Sequence, residues 1–196
     1  MKSLHRPDLY SWSCFDETRN VDFNGTFWVR DSGNVAFDPM PMSDHDLAHV
    51  HELGGMAWVV VTNADHVRDA AELAIMLGAQ IAAPEAEQDR PQFEGVSVSA
   101  WLKDGETFQG ATVFQLDGSK TPGELAFVMG DTVLFGDLVR GQRAGSLNLL
   151  PDPKLTDKSA ALASIARIAE QEPNAVLVGD GQSVFRDGAA RLRECL

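Results

Sequence analysis

Ala57-Trp58-Val59-Val60-Val61-Thr62-Asn63-Ala64-Asp65-His66 is the stretch that decides the fold: an unbroken apolar run that stops abruptly at polar residues. Five apolar residues without alternation predict a strand buried on both faces, since a strand with one wet face alternates polar and apolar side chains. Downstream, Val67, Ala70, Ala71, Ala74 and Leu77 share one face at helical spacing and Gly78 closes the pattern, with Asn63 or Asp65 available as cap. The unit is therefore strand, polar loop, helix, and the polar residues sit at the strand's C-terminal end, where α/β folds place their sites.

Working upstream, Leu9 to Phe15, Val21 to Val29 and Val35 to Phe37 are aromatic and β-branched clusters. Asn24-Gly25 and Ser32-Gly33-Asn34 punctuate them and predict hairpin turns. Ser43-Asp44-His45-Asp46 reads as a capping residue with an acid three positions later, followed by Leu47, Val50 and Leu53 on a short helix that ends at Gly54-Gly55. Downstream, Thr112 to Leu116, Leu125 to Met129 and Val133 to Phe135 predict three strands, the last two joined at Gly130-Asp131. Leu155 to Glu170 carries Ala161, Leu162, Ile165, Ile168 and Ala169 on one stripe, with Thr156 as the expected cap and Pro173 past the stop. Ala175 to Val178 predicts a short buried strand before Gly179-Asp180-Gly181, and residues 186 to 195 a closing helix. Strands and helices mixed in both halves predict an αββα layering.

Length and charge set further bounds. The chain of 196 residues is expected to form one domain over 1–196, and the segments 38–44, 84–95 and 151–157 read as loops within it. A net charge of −13 repels phosphate backbones and anionic lipid, so the expected partner is a small molecule rather than nucleic acid or membrane. Cys14 and Cys195 have no C-x-x-C spacing, and no run of signal-peptide or membrane-spanning character occurs, so a cytoplasmic location is expected. Oligomeric state has no signature here.

Three predicted strands end in a carboxylate: Asp65, Asp137 and Asp180. If they converge, two carboxylates at 4 Å repel by about 4 kcal/mol at an effective dielectric near 20, so a cation or a proton must accompany them. A divalent metal helped by His66, or the side chains of Lys120, Arg140 and Arg143, can supply it. Taken singly, each aspartate is also an ordinary turn cap. His45 and His49 stand at i, i+4 but read as a solvated helix face with no third ligand.

In their order these pieces resemble the metallo-β-lactamase superfamily over nearly the whole chain. Its succession of a strand-end aspartate, T-H-x-H-x-D-H, P-G-H-T-P-G-H, F-T-G-D and P-G-H-G is similar to Phe37-Asp38-Pro39, Thr62-Asn63-Ala64-Asp65-His66, Gly118-Ser119-Lys120-Thr121-Pro122-Gly123-Glu124, Leu134-Phe135-Gly136-Asp137 and Val178-Gly179-Asp180-Gly181. The resemblance implies a four-layer α/β (α+β) sandwich, two mixed sheets between helices. It also implies a metal site at one edge and hydrolysis of an ester, thioester, lactam or phosphoester.

The scaffold residues match and the ligands mostly do not. In one register, Asp65-His66 are the family's D-H, and the resemblance implies a single metal on Asp65, His66, Asp137 and Asp180. In the other, Asn63 and Asp65 take the places of the two histidines of H-x-H and Val67-Arg68 those of D-H, which leaves hardly a metal site. In both, Lys120 stands where a histidine ligand belongs. A protonated lysine cannot ligate, but it can balance Asp137, and a desolvated one can act as base or nucleophile. Catalytic roles are thus expected of Lys120, Asp137 and Asp65, a supporting role behind the ligands of Asp38 and Asn63, and substrate contacts of Arg140 and Arg143. A set of three carboxylates and one imidazole suits Mn²⁺, Fe²⁺ or Mg²⁺ as well as Zn²⁺. The competing reading is a metal-free pseudo-enzyme or binding module in which Lys120 replaces the lost ion.

Overall fold

In the computed structural model, which describes residues 1–196, β1 (Lys2–Ser3), β2 (Leu9–Asp16), β3 (Val21–Trp28), β4 (Val35–Phe37), β5 (Trp58–Val60), β6 (Gln80–Pro84) and β7 (Val98–Leu102) form one sheet in that order. A second sheet runs β14 (Ala175–Val178), β11 (Thr132–Phe135), β10 (Leu125–Met129), β9 (Ala111–Gln115), β8 (Thr107–Phe108), and β12 (Val139–Arg143) pairs with β13 (Ser146–Leu149). Both large sheets are mixed. Pairs from β1 to β4 are antiparallel, those from β4 to β7 parallel, and β11 is parallel to β14 within a largely antiparallel meander.

Three apolar clusters show the layering. Val60, Phe37 and Leu9 of the first sheet share a core with Phe127, Leu134 and Leu177 of the second, so these strands face each other. Val59 and Val61, one residue to either side of Val60, instead join Val50 of α1 (Asp44–Glu52) and Ala70 and Ala74 of α2 (Ala70–Leu77). The far face of the second sheet packs Val133, Phe135, Val176 and Val178 on Ala161, Ile165 and Ile168 of α3 (Lys158–Ala169) and Leu192 of α4 (Gly188–Arg193). The continuous apolar run at 57–61 is therefore a strand with sheet on one side and helices on the other, which is the four-layer αββα order.

Local expectations were met unevenly. Ser43 caps α1, its Oγ accepting from the Asp46 amide at 3.2 Å. Asn24-Gly25 is not a turn: both residues lie inside β3, and Gly25 is required because a Cβ there would stand 2.5 Å from the Trp12 indole across the ladder. The hairpin instead turns at 17–20, with Asn20 at φ 51°. The helix after His66 begins only at Ala70, because residues Ala64–His66 first form a 3₁₀ turn whose cap is Asn63, Oδ1 accepting from the Asp65 amide at 3.0 Å. The cap of α3 is Asp157 rather than Thr156, whose hydroxyl donates to the Ser119 carbonyl at 2.8 Å. Strands β6 and β7 had no counterpart in the sequence reading, and the expected 84–95 loop is built from two 3₁₀ turns, Glu85–Glu87 and Pro91–Phe93. Both cysteines are free.

Candidate functional site at the strand edge

Because β4, β5 and β6 run parallel, as do β11 and β14, the C-terminal ends of each set emerge together, and the two sets meet at one edge. Two glycines permit the approach. A Cβ at Gly136 would lie 2.3 Å from Thr62 Oγ1, and one at Gly179 would lie 2.8 Å from the Gly136 carbonyl and 3.1 Å from His66 Cε1. The residues that follow them, Asp137 and Asp180, are thereby carried against the end of β5.

Asp38 organises the first-sheet side. It leaves β4 with φ 47°, a left-handed backbone uncommon outside glycine that aspartate tolerates better than most residues. Its Oδ1 accepts from the Thr62 amide at 2.7 Å and its Oδ2 from Thr62 Oγ1 at 2.6 Å, and His66 Nδ1 lies 2.8 Å from that same Oδ2. All three side chains are buried. Asp38 thus ties Thr62 to His66, whereas Asn63 acts as the cap of the 3₁₀ turn, its amide nitrogen 3.4 Å from Thr62 Oγ1.

The acids converge, and they converge on cations. One nitrogen of Arg140, Nη2, stands 3.0 Å from Asp137 Oδ1 and 3.0 Å from Asp180 Oδ2. Arg68 places Nη2 3.1 Å from His66 Nε2 and 3.9 Å from Asp180 Oδ1, anchored through Nη1 on the carbonyls of Asn24 (3.2 Å) and Asp38 (3.1 Å). Arg68 also has φ 40°. Lys120 pairs directly with Asp65 and lies 3.7 Å from Asp137 Oδ2. Four acids (Asp38, Asp65, Asp137, Asp180) therefore face four basic groups (His66, Arg68, Lys120, Arg140). Arg143 is not among them: it is exposed at the far end of β12 and does not line the cavity beside Arg140.

Titration follows from these contacts. Burial disfavours the His66 imidazolium, but the Asp38 charge, the contact with Asp38 and the Asp137 carboxylate 3.6 Å from Nε2 prevail against Arg68 and raise it to about 9. Burial likewise disfavours the Asp137 carboxylate, yet His66, Lys120 and Arg140 together hold it well below the usual carboxylate range. Asp180 is raised, by burial first and by the neighbouring Asp137 charge, with Arg140 opposing. Lys120 is half-buried, which favours loss of its proton, but Asp65 and Asp137 more than reverse this and hold it as ammonium. In that state it has no lone pair for a metal, a proton or a carbonyl.

Two buried glutamates tie the site loops together, and the sequence reading missed both. Glu87, from the turn after β6, accepts from the Ala64 amide and, through Oε1, from the Gly123 amide at 3.0 Å. Glu124 Oε1 accepts from the amides of Asp137 (2.7 Å) and Leu138 (2.9 Å), and Oε2 accepts from the Ser119 hydroxyl. Burial and the Asp137 charge raise Glu124 to about 7. Arg68 had a signal in the sequence, since the gapless register puts Val67-Arg68 in place of D-H. Glu124 replaces the last histidine of P-G-H-T-P-G-H, a second available signal.

Ligand atoms of His66, Asp137 and Asp180 lie within 4.8 Å of one another, the spacing of a candidate metal site. Asp65 stays outside that set, drawn off by Lys120 and by Gln92, whose Nε2 donates to it at 3.1 Å. A metal ligand must present a lone pair at about 2.0 to 2.6 Å from the ion. Here His66 Nδ1 is engaged by Asp38, Nε2 faces a guanidinium, and one oxygen each of Asp137 and Asp180 accepts from the same Arg140 nitrogen. The remaining oxygens, Asp137 Oδ2 and Asp180 Oδ1, have no hydrogen-bond partner but each looks toward a cation, Lys120 or Arg68. In this arrangement the donor set does not fit an added ion unless Arg140 is displaced.

The groove above these residues encloses about 610 Å³ between Asp16, Arg19, Phe23, Met40, Lys120 and Lys154, a volume suited to a small molecule. An αββα sandwich with carboxylates and a histidine at the strand edge defines a class of hydrolase-like proteins. The chain belongs to the metallo-β-lactamase superfamily, whose family model matches residues 1–196. No curated protein shows a significant match. Among solved structures, a metallo-β-lactamase from Pontibacter korlensis aligns with TM-score 0.77 at 13% identity over 97% of this chain and 94% of that one. TTHA1623, solved in a di-iron-bound form, aligns with TM-score 0.71 at 24% identity over 92% of this chain and 98% of its own. A metallo-β-lactamase family protein from Thermus thermophilus aligns with TM-score 0.71 at 16% identity over 96% and 78%. At these identities the likeness is one of fold. No helix is long and apolar enough to cross a membrane.

Proposed function

We propose that the strand-edge groove is a small-molecule site operated by the chain's own charges, in a member of the superfamily that has exchanged metal ions for side-chain cations. The observation that carries this reading is the single Arg140 nitrogen 3.0 Å from both Asp137 and Asp180, two of the three residues that could hold an ion. A permanent guanidinium supplies the charge that makes adjacent buried carboxylates tolerable, and it cannot dissociate as an ion can. The sequence expectation gave this role to Lys120; on this reading Arg140 and Arg68 share it. The net charge of −13 supports a small ligand over nucleic acid.

A second reading, favoured by the 4.8 Å cluster and the two oxygens without hydrogen-bond partners, is a mononuclear hydrolase of esters, thioesters or phosphoesters with His66, Asp137 and Asp180 as ligands. A bound metal would there polarise the scissile group and acidify a water. Arg140 would have to turn from both carboxylates, free to hold an anionic substrate group.

Metal content separates the two. Mass spectrometry of protein purified without chelator or metal-binding tag, before and after incubation with Mn²⁺, Fe²⁺ and Zn²⁺, is expected to find no stoichiometric ion. Close to one ion per chain, lost in Asp137→Ala, would overturn the metal-free reading.

A further inference from the structure

We infer that this groove carries a subsite for the phosphoryl group of a small phosphate ester, formed by Arg19 and Lys154 at its mouth with Lys120 behind them. The inference deepens the reading of the groove as a ligand site by naming the ligand class.

The groove of about 610 Å³ continues into a second cavity of about 540 Å³, and Arg19, Arg140, Lys154 and Asp180 line both. Of these cations Arg140 is committed to carboxylates. Arg19 and Lys154 form no ion pair: the Arg19 guanidinium lies 5.4 Å from the Phe23 ring, and Lys154 is exposed on its turn. Exposed cations without partners are common on any protein. What distinguishes this pair is that both come to the same cavity wall in a chain where acids outnumber bases 29 to 16.

Both sit on turns that local chemistry stiffens. Asp16 Oδ1 accepts from the Arg19 amide at 2.9 Å and Asn20 follows at φ 51°, fixing the β2–β3 turn. Lys154 ends the 3₁₀ turn Asp152–Lys154, its amide donating to the Pro151 carbonyl at 2.8 Å, with Pro151 and Pro153 restricting the backbone. Their charges are presented from two separate segments at little cost in backbone ordering. Lys120, paired with Asp65 and partly exposed, also lines the groove.

A phosphoryl dianion matches two free cations, one a guanidinium whose fork suits its oxygens, whereas a carboxylate has charge for only one. The chain's overall field repels anions, so a ligand of that charge is retained only where local cations outweigh it. The neighbouring cavity offers Phe15, Val21 and Pro151 beside Asn20, Gln142 and Gln182, walls for an uncharged organic group. Asp22 also lines it, and Asp16, Asp65 and Asp137 line the Lys120 end, so the anionic group belongs at the shared boundary where Arg19 and Lys154 stand.

Titration calorimetry with phenyl phosphate, inorganic phosphate and benzoate tests the assignment on the full chain. Phenyl phosphate is expected to bind at least about tenfold tighter than benzoate or inorganic phosphate, and Arg19→Gln/Lys154→Gln to weaken it by about tenfold or more. The charge-matched control Arg143→Gln/Arg186→Gln, exposed and outside both cavities, is expected to leave it unchanged. Inorganic phosphate binding as tightly as the ester, benzoate binding equally, no binding by the native chain, or equal weakening in both double variants each overturns it. Metal analysis of the same preparation keeps the two ideas apart: a metal-loaded protein that still needs Arg19 and Lys154 sinks the metal-free reading alone.

Discussion

The His66 imidazole and the Asp38 carboxylate meet at 2.8 Å, Nδ1 to Oδ2, with both side chains buried. Aspartate and histidine are 28 residues apart and belong to different strand ends, so the contact closes the first sheet's edge over Thr62. It also sets the protonation of the site, because the imidazolium is retained where burial alone would discharge it.

Stability is expected to fall as pH rises. A histidine raised to about 9 in the folded state contributes stability that is complete below its unfolded value and lost as pH passes through about 9. The shift corresponds to about 3 kcal/mol at most. Glu124, raised to about 7, adds a loss of the same sign between its unfolded value and about pH 7. Thermal melts from pH 6 to pH 10 should show Tm declining, and the decline should shrink in Asp38→Asn. A Tm flat across that range would contradict the His66–Asp38 assignment.

Removing Arg140 should do two separable things. Arg140→Ala leaves Asp137 and Asp180 buried with no shared donor, at about 3 to 5 kcal/mol in urea unfolding. The same variant should gain affinity for Mn²⁺ or Zn²⁺, since His66, Asp137 and Asp180 then lose their internal counter-ion. Metal uptake equal to that of the native chain would show that Arg140 does not hold the ion's place.

The glutamate ties predict a graded pair. Glu124→Ala strands the amides of Asp137 and Leu138 at about 1 to 3 kcal/mol each. Glu124→Gln keeps a carbonyl oxygen for them and should cost less than half as much. Hydrogen exchange at those two amides is the direct readout, faster in the alanine variant and close to native in the glutamine one.

Gly136→Ala should destabilise through crowding alone. The added methyl would sit 2.3 Å from Thr62 Oγ1 and 2.9 Å from Asn63 Nδ2, contacts that force a shift of about 1 to 3 kcal/mol. Gly55→Ala, with open space around the site but φ 83°, separates backbone strain from crowding. Denaturant melts of the two, with the Asp137 to His66 contact followed by NMR, should show that contact disturbed only in Gly136→Ala.

Much of the fold was legible because burial writes periodicity. The run Ala57 to Val61 announced a strand covered on both faces, and the stripe from Ala161 to Ala169 announced a helix lying on one. Where a side chain's reason for being there is long-range, local reading failed. Asn24-Gly25 has turn chemistry but sits in β3 because the Trp12 indole needs the space. Gln80 to Pro84 is short, small and alanine-rich, with no alternation to mark it as a strand, and pairs only because β5 and β7 flank it.

The same division runs through the site. Asp38, Asp65, His66, Lys120, Asp137, Arg140 and Asp180 were named from strand ends and motif order, which depend on chain-local rules about where strands stop. Which carboxylate meets which cation was not: Asp65 turned to Lys120, and Arg140 took Asp137 and Asp180. Glu87 carried no signal of burial and Glu124 only its place in the motif order, because a glutamate's environment is set by amides far along the chain. The sequence by itself determined the class of fold and the edge at which polar residues gather, since both follow from periodicity and strand termini. Only the tertiary structure decided that the gathered charges neutralise one another, because Coulomb energies depend on distances of a few ångströms, and pairs such as Arg140–Asp180, Lys120–Asp65 and His66–Asp38 join residues tens of positions apart.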